Sequence, residues 1–96
     1  MKDNFETVAY YKTLFANLWT KENEDDEWYK QTVSAAGIKC GKDGKVPPFV
    51  TWADLDTRES YQKIDHAEAS VEDQNVTFYT EKIPEEDINI IISDYR

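Results

Sequence analysis

The single histidine, His66, opens a His66-Ala67-Glu68 triplet, and the single cysteine is Cys40. A His-x-Glu triplet begins the zinc deaminase signature, in which a later cysteine pair completes the metal site. No such pair follows here, and zinc needs three or four protein ligands. Cys40 and His66 could serve as thiol nucleophile and base. Lys39, Lys42 and Lys45 around Cys40 would lower its pKa. No third group that orients the base stands out from the spacing. Asp54-Leu55-Asp56 starts like a calcium loop, but the fifth position is Arg58 and the sixth, where glycine is required, is Glu59. The three glycines match no phosphate-cradling spacing. Carboxylates are abundant, yet nothing singles out two as acid and base. The expectation is a protein with no catalytic residues, no metal and no cofactor, and not an enzyme.

The remaining chemistry is charge. Twenty acidic side chains stand against eleven basic ones in 96 residues, a formal net charge of −9. Residues 51–96 carry twelve acidic and four basic groups, and five of the six residues 22–27 are acidic. Around Cys40 the balance reverses, with Lys39, Lys42 and Lys45 in a loop closed by Pro47-Pro48. Its Asp43-Gly44 pair signals a tight turn. Anionic surfaces keep small proteins soluble, but self-repulsion opposes compaction. A chain of this size has little stability to spare. That asymmetry favours a use for the charge.

The elements that would position these groups follow from periodicity. Phe5, Val8, Tyr11, Phe15, Leu18 and Trp19 recur at helical spacing and predict a helix over 4–20, with Asp3 and Glu6 as a capping box. A second helix is expected from about 25 to 36, with Trp28, Thr32, Ala35 and Ala36 on one face and Gly37 as its C-cap. Thr51 with Asp54 has the spacing of a capping pair for a third helix, and a turn around 49–56 leads to that helix over roughly 57–70. Val76, Phe78 and Thr80 alternate as in a strand, and Ile88, Ile90 and Ile92 make another after the turn Pro84-Glu85-Glu86-Asp87. These two strands should pair antiparallel. The expected fold is α+β, with two or three helices packed on a small antiparallel sheet formed by the C-terminal strands, in one domain, 1–96. An open sheet edge would allow a homodimer.

Forty per cent hydrophobic and 14% aromatic content argue against disorder. A lone cysteine fits a reducing compartment. The first twenty residues lack signal-peptide character, and the longest apolar run, Ile90-Ile91-Ile92, is far too short for a bilayer. A soluble cytoplasmic protein is expected, in the host cytoplasm if phage-encoded. The acidity argues against direct binding to nucleic acid or anionic membranes.

On a helix, Asp65, Glu68 and Glu72 would share a face, offering a charge row comparable with phosphates that rise about 3.4 Å per nucleotide. The expected partner is a basic, nucleic-acid-binding protein. Its docking face would comprise Glu22, Glu24, Asp25, Asp26 and Glu27, then Asp65, Glu68, Glu72 and Asp73, then Glu85, Glu86 and Asp87. Trp28, Tyr29 and Tyr79 are candidate aromatic anchors. The favoured function is inhibition by mimicry of DNA or RNA charge, of the antirestriction or anti-CRISPR kind. The alternatives are an immunity protein or antitoxin against a basic toxin, and a small viral structural or assembly protein.

Overall fold

The computed structural model describes residues 7–40 and 47–95. It is built from two three-stranded antiparallel sheets. In the first, sheet A, β1 (Thr7–Leu14) and β3 (Phe49–Trp52) flank β6 (Ile88–Tyr95). In the second, sheet B, β2 (Tyr29–Ser34) and β4 (His66–Ser70) flank β5 (Asn75–Thr80). Between β3 and β4 lies a single 3₁₀ turn (Leu55–Thr57) that runs into a short helix, α1 (Arg58–Gln62).

This overturns the expected helices on one sheet. The stretch read as a helix over 4–20 holds β1 instead, and Tyr11, Phe15 and Leu18 of its supposed buried stripe are exposed. Thr, Val and Tyr dominate β1. Such residues suit a pleated surface when a partner strand is available, and β6 supplies one from Thr7↔Tyr95 to Leu14↔Ile88. The stretch 25–36 holds β2, where Gln31 faces inward and Thr32 outward. Gly37 has the positive φ (90°) expected of a cap, and Ile38 packs inward, but they turn the chain after a strand. The third expected helix stops at Gln62. His66, Glu68 and Ser70 then alternate with Ala67 and Ala69 along β4. The expected turn over 49–56 opens instead as strand β3, which holds Thr51, and Asp54 caps the 3₁₀ turn, accepting from Asp56 N at 3.1 Å. The capping box at Asp3 and Glu6 and the turn at Asp43-Gly44 lie outside the described residues.

The two C-terminal strands form where their alternation places them, but they do not pair. Each is the central strand of its own sheet. Val76, Phe78 and Thr80 on β5 and Ile88, Ile90 and Ile92 on β6 are buried. They join Leu14, Trp19, Ala35, Ile38 and Cys40 in one core. Sharing one core removes both stripes from water, worth about 25 cal/mol per Å² of apolar surface. The segment 81–87 carries the chain from one sheet to the other.

Polar side chains complete the joins. The buried Gln31 amide mimics a strand partner for Phe15, accepting from its N–H at 2.8 Å and donating to its carbonyl at 2.9 Å. Gln74, at φ 57°, accepts from Gly37 N and donates to Ile38 O and Val71 O, tying the β4–β5 turn to the turn after β2. No helix among the described residues is long and apolar enough to cross a membrane.

Candidate functional site

Strand register decides which acidic residues come together. Tyr29 of β2 is opposite Thr80 of β5, and His66 of β4 is opposite Tyr79. The start of β2, the end of β5 and the start of β4 therefore share one end of sheet B. The segment 22–27 enters at that end, Asp65 precedes β4 there, and Glu81 leaves β5 there. Three acidic segments far apart in sequence thus emerge side by side.

Next to them is an open groove of about 600 Å³. Asp56, Glu59 and Ser60 on the 3₁₀ turn and α1 form one wall with Lys63. Glu81, Lys82, Ile83, Pro84, Glu85 and Glu86 of the inter-sheet segment form the other. Five carboxylates face two ammonium groups, so the groove is net anionic. Glu22, Glu24, Asp25, Glu27, Asp56, Glu59, Asp65, Glu81, Glu85 and Glu86 are all exposed.

Among the described residues, few of these charges are neutralised within the chain. Lys30 Nζ forms an ion pair with Glu22, and His66 Nδ1 is hydrogen-bonded with Asp65 Oδ2 at 2.7 Å. The hydrogen bond that Lys30 donates to Glu22 raises the Lys30 pKa, with charge attraction adding to it. Other candidates have duties inside the fold. Asp26 accepts from Asn23 N at 2.9 Å, and Asp87 accepts from Ala16 N at 2.8 Å. Asp73 accepts from the Ser70 hydroxyl, which in turn accepts from Asp73 N.

The outer face of sheet B adjoins the acidic end. It carries Lys30, Tyr79 and His66 in one row and Thr32, Thr77 and Glu68 in the next. The His66 ring stacks on Tyr79 (4.6 Å between centroids, 12° between planes), and Trp28 meets His66 edge-on at 5.5 Å. The Asp65 carboxylate fixes the imidazole from the side. The result is a small aromatic platform rimmed by acids.

The sequence-based site divides accordingly. Glu22, Glu24, Asp25, Asp26, Glu27, Asp65, Glu85 and Glu86 belong to the acidic end, and Trp28 and Tyr79 to the platform. Glu68 lies on the sheet face two residues along β4. Glu72 and Asp73 sit in the β4–β5 turn at the opposite end, about 13 Å or more away at 3.3 Å per strand residue. The row Asp65, Glu68, Glu72 therefore runs along a strand and into a turn, and is not a helix face. Tyr29 points to the core side and lies under Lys21, whose Nζ is 4.5 Å from the ring centre. His66, Asp56, Glu59 and Glu81 were missing from the expected face. The polar/apolar alternation of 66–70 was the overlooked sign for His66. The groove residues required the sheet-to-sheet crossing, which no local pattern encodes.

His66 and Cys40 belong to separate surroundings. Cys40 is buried against Asp94 of β6, whereas His66 lies on the outer face of sheet B. Burial raises the thiol pKa, and the Asp94 charge raises it further, opposite to the direction expected from sequence. Among the described residues no three His, Cys, Asp or Glu side chains are grouped to hold a metal ion. Comparison of this chain with protein-family models, curated proteins and solved structures finds no match.

Proposed function

We propose that this chain is a small acidic inhibitor that occupies the nucleic-acid cleft of a basic protein, presenting the acidic end of sheet B in place of phosphates. It acts by binding, without catalysis. The observation that carries the reading is the convergence of residues 22–27, Asp65 and Glu81–Glu86 at one sheet end, with few ion pairs among the described residues. Exposed like charges that remain unpaired raise the local potential and steer a cationic partner. The Trp28–His66–Tyr79 platform adds amphipathic rings of the kind that anchor interfaces. That platform equally suits an immunity protein or antitoxin gripping a basic toxin, where the contact need not coincide with a nucleic-acid site.

Capture on the immobilised protein from lysate of the source cells or their host separates these readings. Mimicry predicts a basic captured protein that duplex DNA or RNA displaces. Its retention should fall steeply between about 50 and 200 mM salt, because exposed charges are screened within about 10 Å at 0.1 M. Reversal by Glu24→Lys should weaken capture more than the equal charge change Glu72→Lys at the far end. Capture indifferent to nucleic acid, to salt and to Glu24→Lys would overturn the proposal.

A further inference from the structure

The outer face of sheet A contrasts with the rest of the molecule. With Ile88, Ile90, Ile92 and Asp94 buried, Asn89, Ile91 and Ser93 of β6 point outward. Register places Thr13, Tyr11 and Ala9 of β1 beside them on one flank, and Thr51 and Phe49 of β3 on the other. None of these side chains is charged, in a chain where 32% of residues are. Tyr11 is 72% exposed and Phe49 59%. Thr13 Oγ1 donates to Asn89 Oδ1 at 2.8 Å, so polar groups on the face are partly satisfied within it. Asp54 stands at the rim, 3.4 Å from Asn89 Nδ2.

We propose that this face is a self-association surface, occupied by the same face of a second copy. Charge selects the occupant. A cationic partner finds no carboxylate here to pair with. Two copies of a −9 chain repel wherever acids meet, and this face lets them approach without burying a charge. Shape agrees. The aromatic side chains lie on the two flanking strands with Ile91 between them. A two-fold axis running along β6 lays β1 of one copy over β3 of the other. Each Tyr11 then lies over the partner copy's Thr51 and reaches diagonally toward its Phe49, two residues along β3, giving two equivalent contacts from one patch, as an isologous interface requires. Stacked sheets sit about 10 Å apart, a gap that Tyr, Phe and Ile fill.

The neutral stretch measures about 15 by 17 Å from strand spacing and rise. With its side chains it reaches the few hundred Å² of a functional patch. That is small for an obligate dimer, so the association is weak and concentration-dependent.

Sedimentation equilibrium on the full chain, from about 10 μM to about 1 mM to span weak affinities, tests this. Dimer should appear within that range and should strengthen at higher salt, as screening reduces repulsion between the copies. Cationic-partner binding responds to salt with the opposite sign, so the two proposals fail separately. Tyr11→Lys and Phe49→Glu should each weaken the homodimer at least tenfold. Because both side chains are exposed, neither should shift the urea midpoint of the monomer. Mixing the two variants should restore dimer, since each substituted flank then meets its opposite charge. A chain monomeric at about 1 mM, dimer that persists in both variants through an open sheet edge, or a mixture that stays monomeric would each overturn the proposal.

Discussion

Asp94 is fully buried, and its carboxylate accepts from Lys39 N at 2.8 Å and Cys40 N at 2.5 Å. These bonds fasten Cys40, a non-glycine residue at φ 49°, to the middle strand of sheet A. Replacing Asp94 with alanine strands two backbone donors, and should cost about 2–4 kcal/mol in urea unfolding. Protonation is linked to the same corner. Burial, then the Asp94 charge, raises the Cys40 thiol, and burial raises the Tyr61 phenol, whose hydroxyl donates to Val50 O at 3.0 Å. Both folded groups hold their protons more tightly than the unfolded chain does. Their stabilisation is therefore complete below the ordinary thiol pKa of about 8.5, and drains away as pH climbs through the raised folded values. Unfolding midpoints from pH 7 to above 10 should fall on this account, and Cys40→Ala should flatten the early part of the decline. A midpoint independent of alkali would contradict the assignment.

The joins between elements rest on two glutamines. Gln31 completes the pairing of Phe15 through both amide atoms, so Gln31→Leu leaves one backbone donor and one acceptor unmet. It should destabilise by about 1–3 kcal/mol, while Thr32→Leu, on the outer side of the same strand, should change little. Denaturant titration of the pair distinguishes loss of the join from a general effect on β2. Neither glutamine was legible as a structural residue, because the role depends on a partner brought from elsewhere. The same distinction runs through the fold. The strands at 76–80 and 88–92 were readable because their buried stripes alternate within a few residues. The 4–20 stripe misleads because Phe5, Val8, Tyr11 and Phe15 fit a helix by spacing, while the β-branched and aromatic content of 7–13 points the other way. Pairing with β6 settled that conflict. In the candidate site, Glu22–Glu27 was visible as a run. Its meeting with Asp65 and Glu81 depended on a register that sequence did not contain.

At the scale of the whole molecule, charge and compactness oppose each other. The acidic end holds unpaired carboxylates in a chain of −9, and like charges at close range cost a few tenths of a kcal/mol each. Neutralising the exposed triplet by Glu24→Gln, Asp25→Asn and Glu27→Gln should therefore raise the melting temperature by about 2–6 °C, as roughly 0.5–1 kcal/mol does in a domain this size. If the proposed function is right, the same variant should lose partner affinity, the exchange of stability for function seen at specialised surfaces. A lowered melting temperature would mean that those carboxylates stabilise the fold.

Sheet A also has an order of assembly written into it. Its middle strand is the last of the six, so Val8 waits for Asp94 and Val50 for Ile92. Until residues 88–95 have left the ribosome, β1 and β3 have no backbone partner, whereas sheet B already has all three of its strands. The β1–β6 contacts, the most distant in sequence of these pairings, form late. The acidic half of the molecule can take shape first, and its neutral face exists only once β6 has slotted between its neighbours.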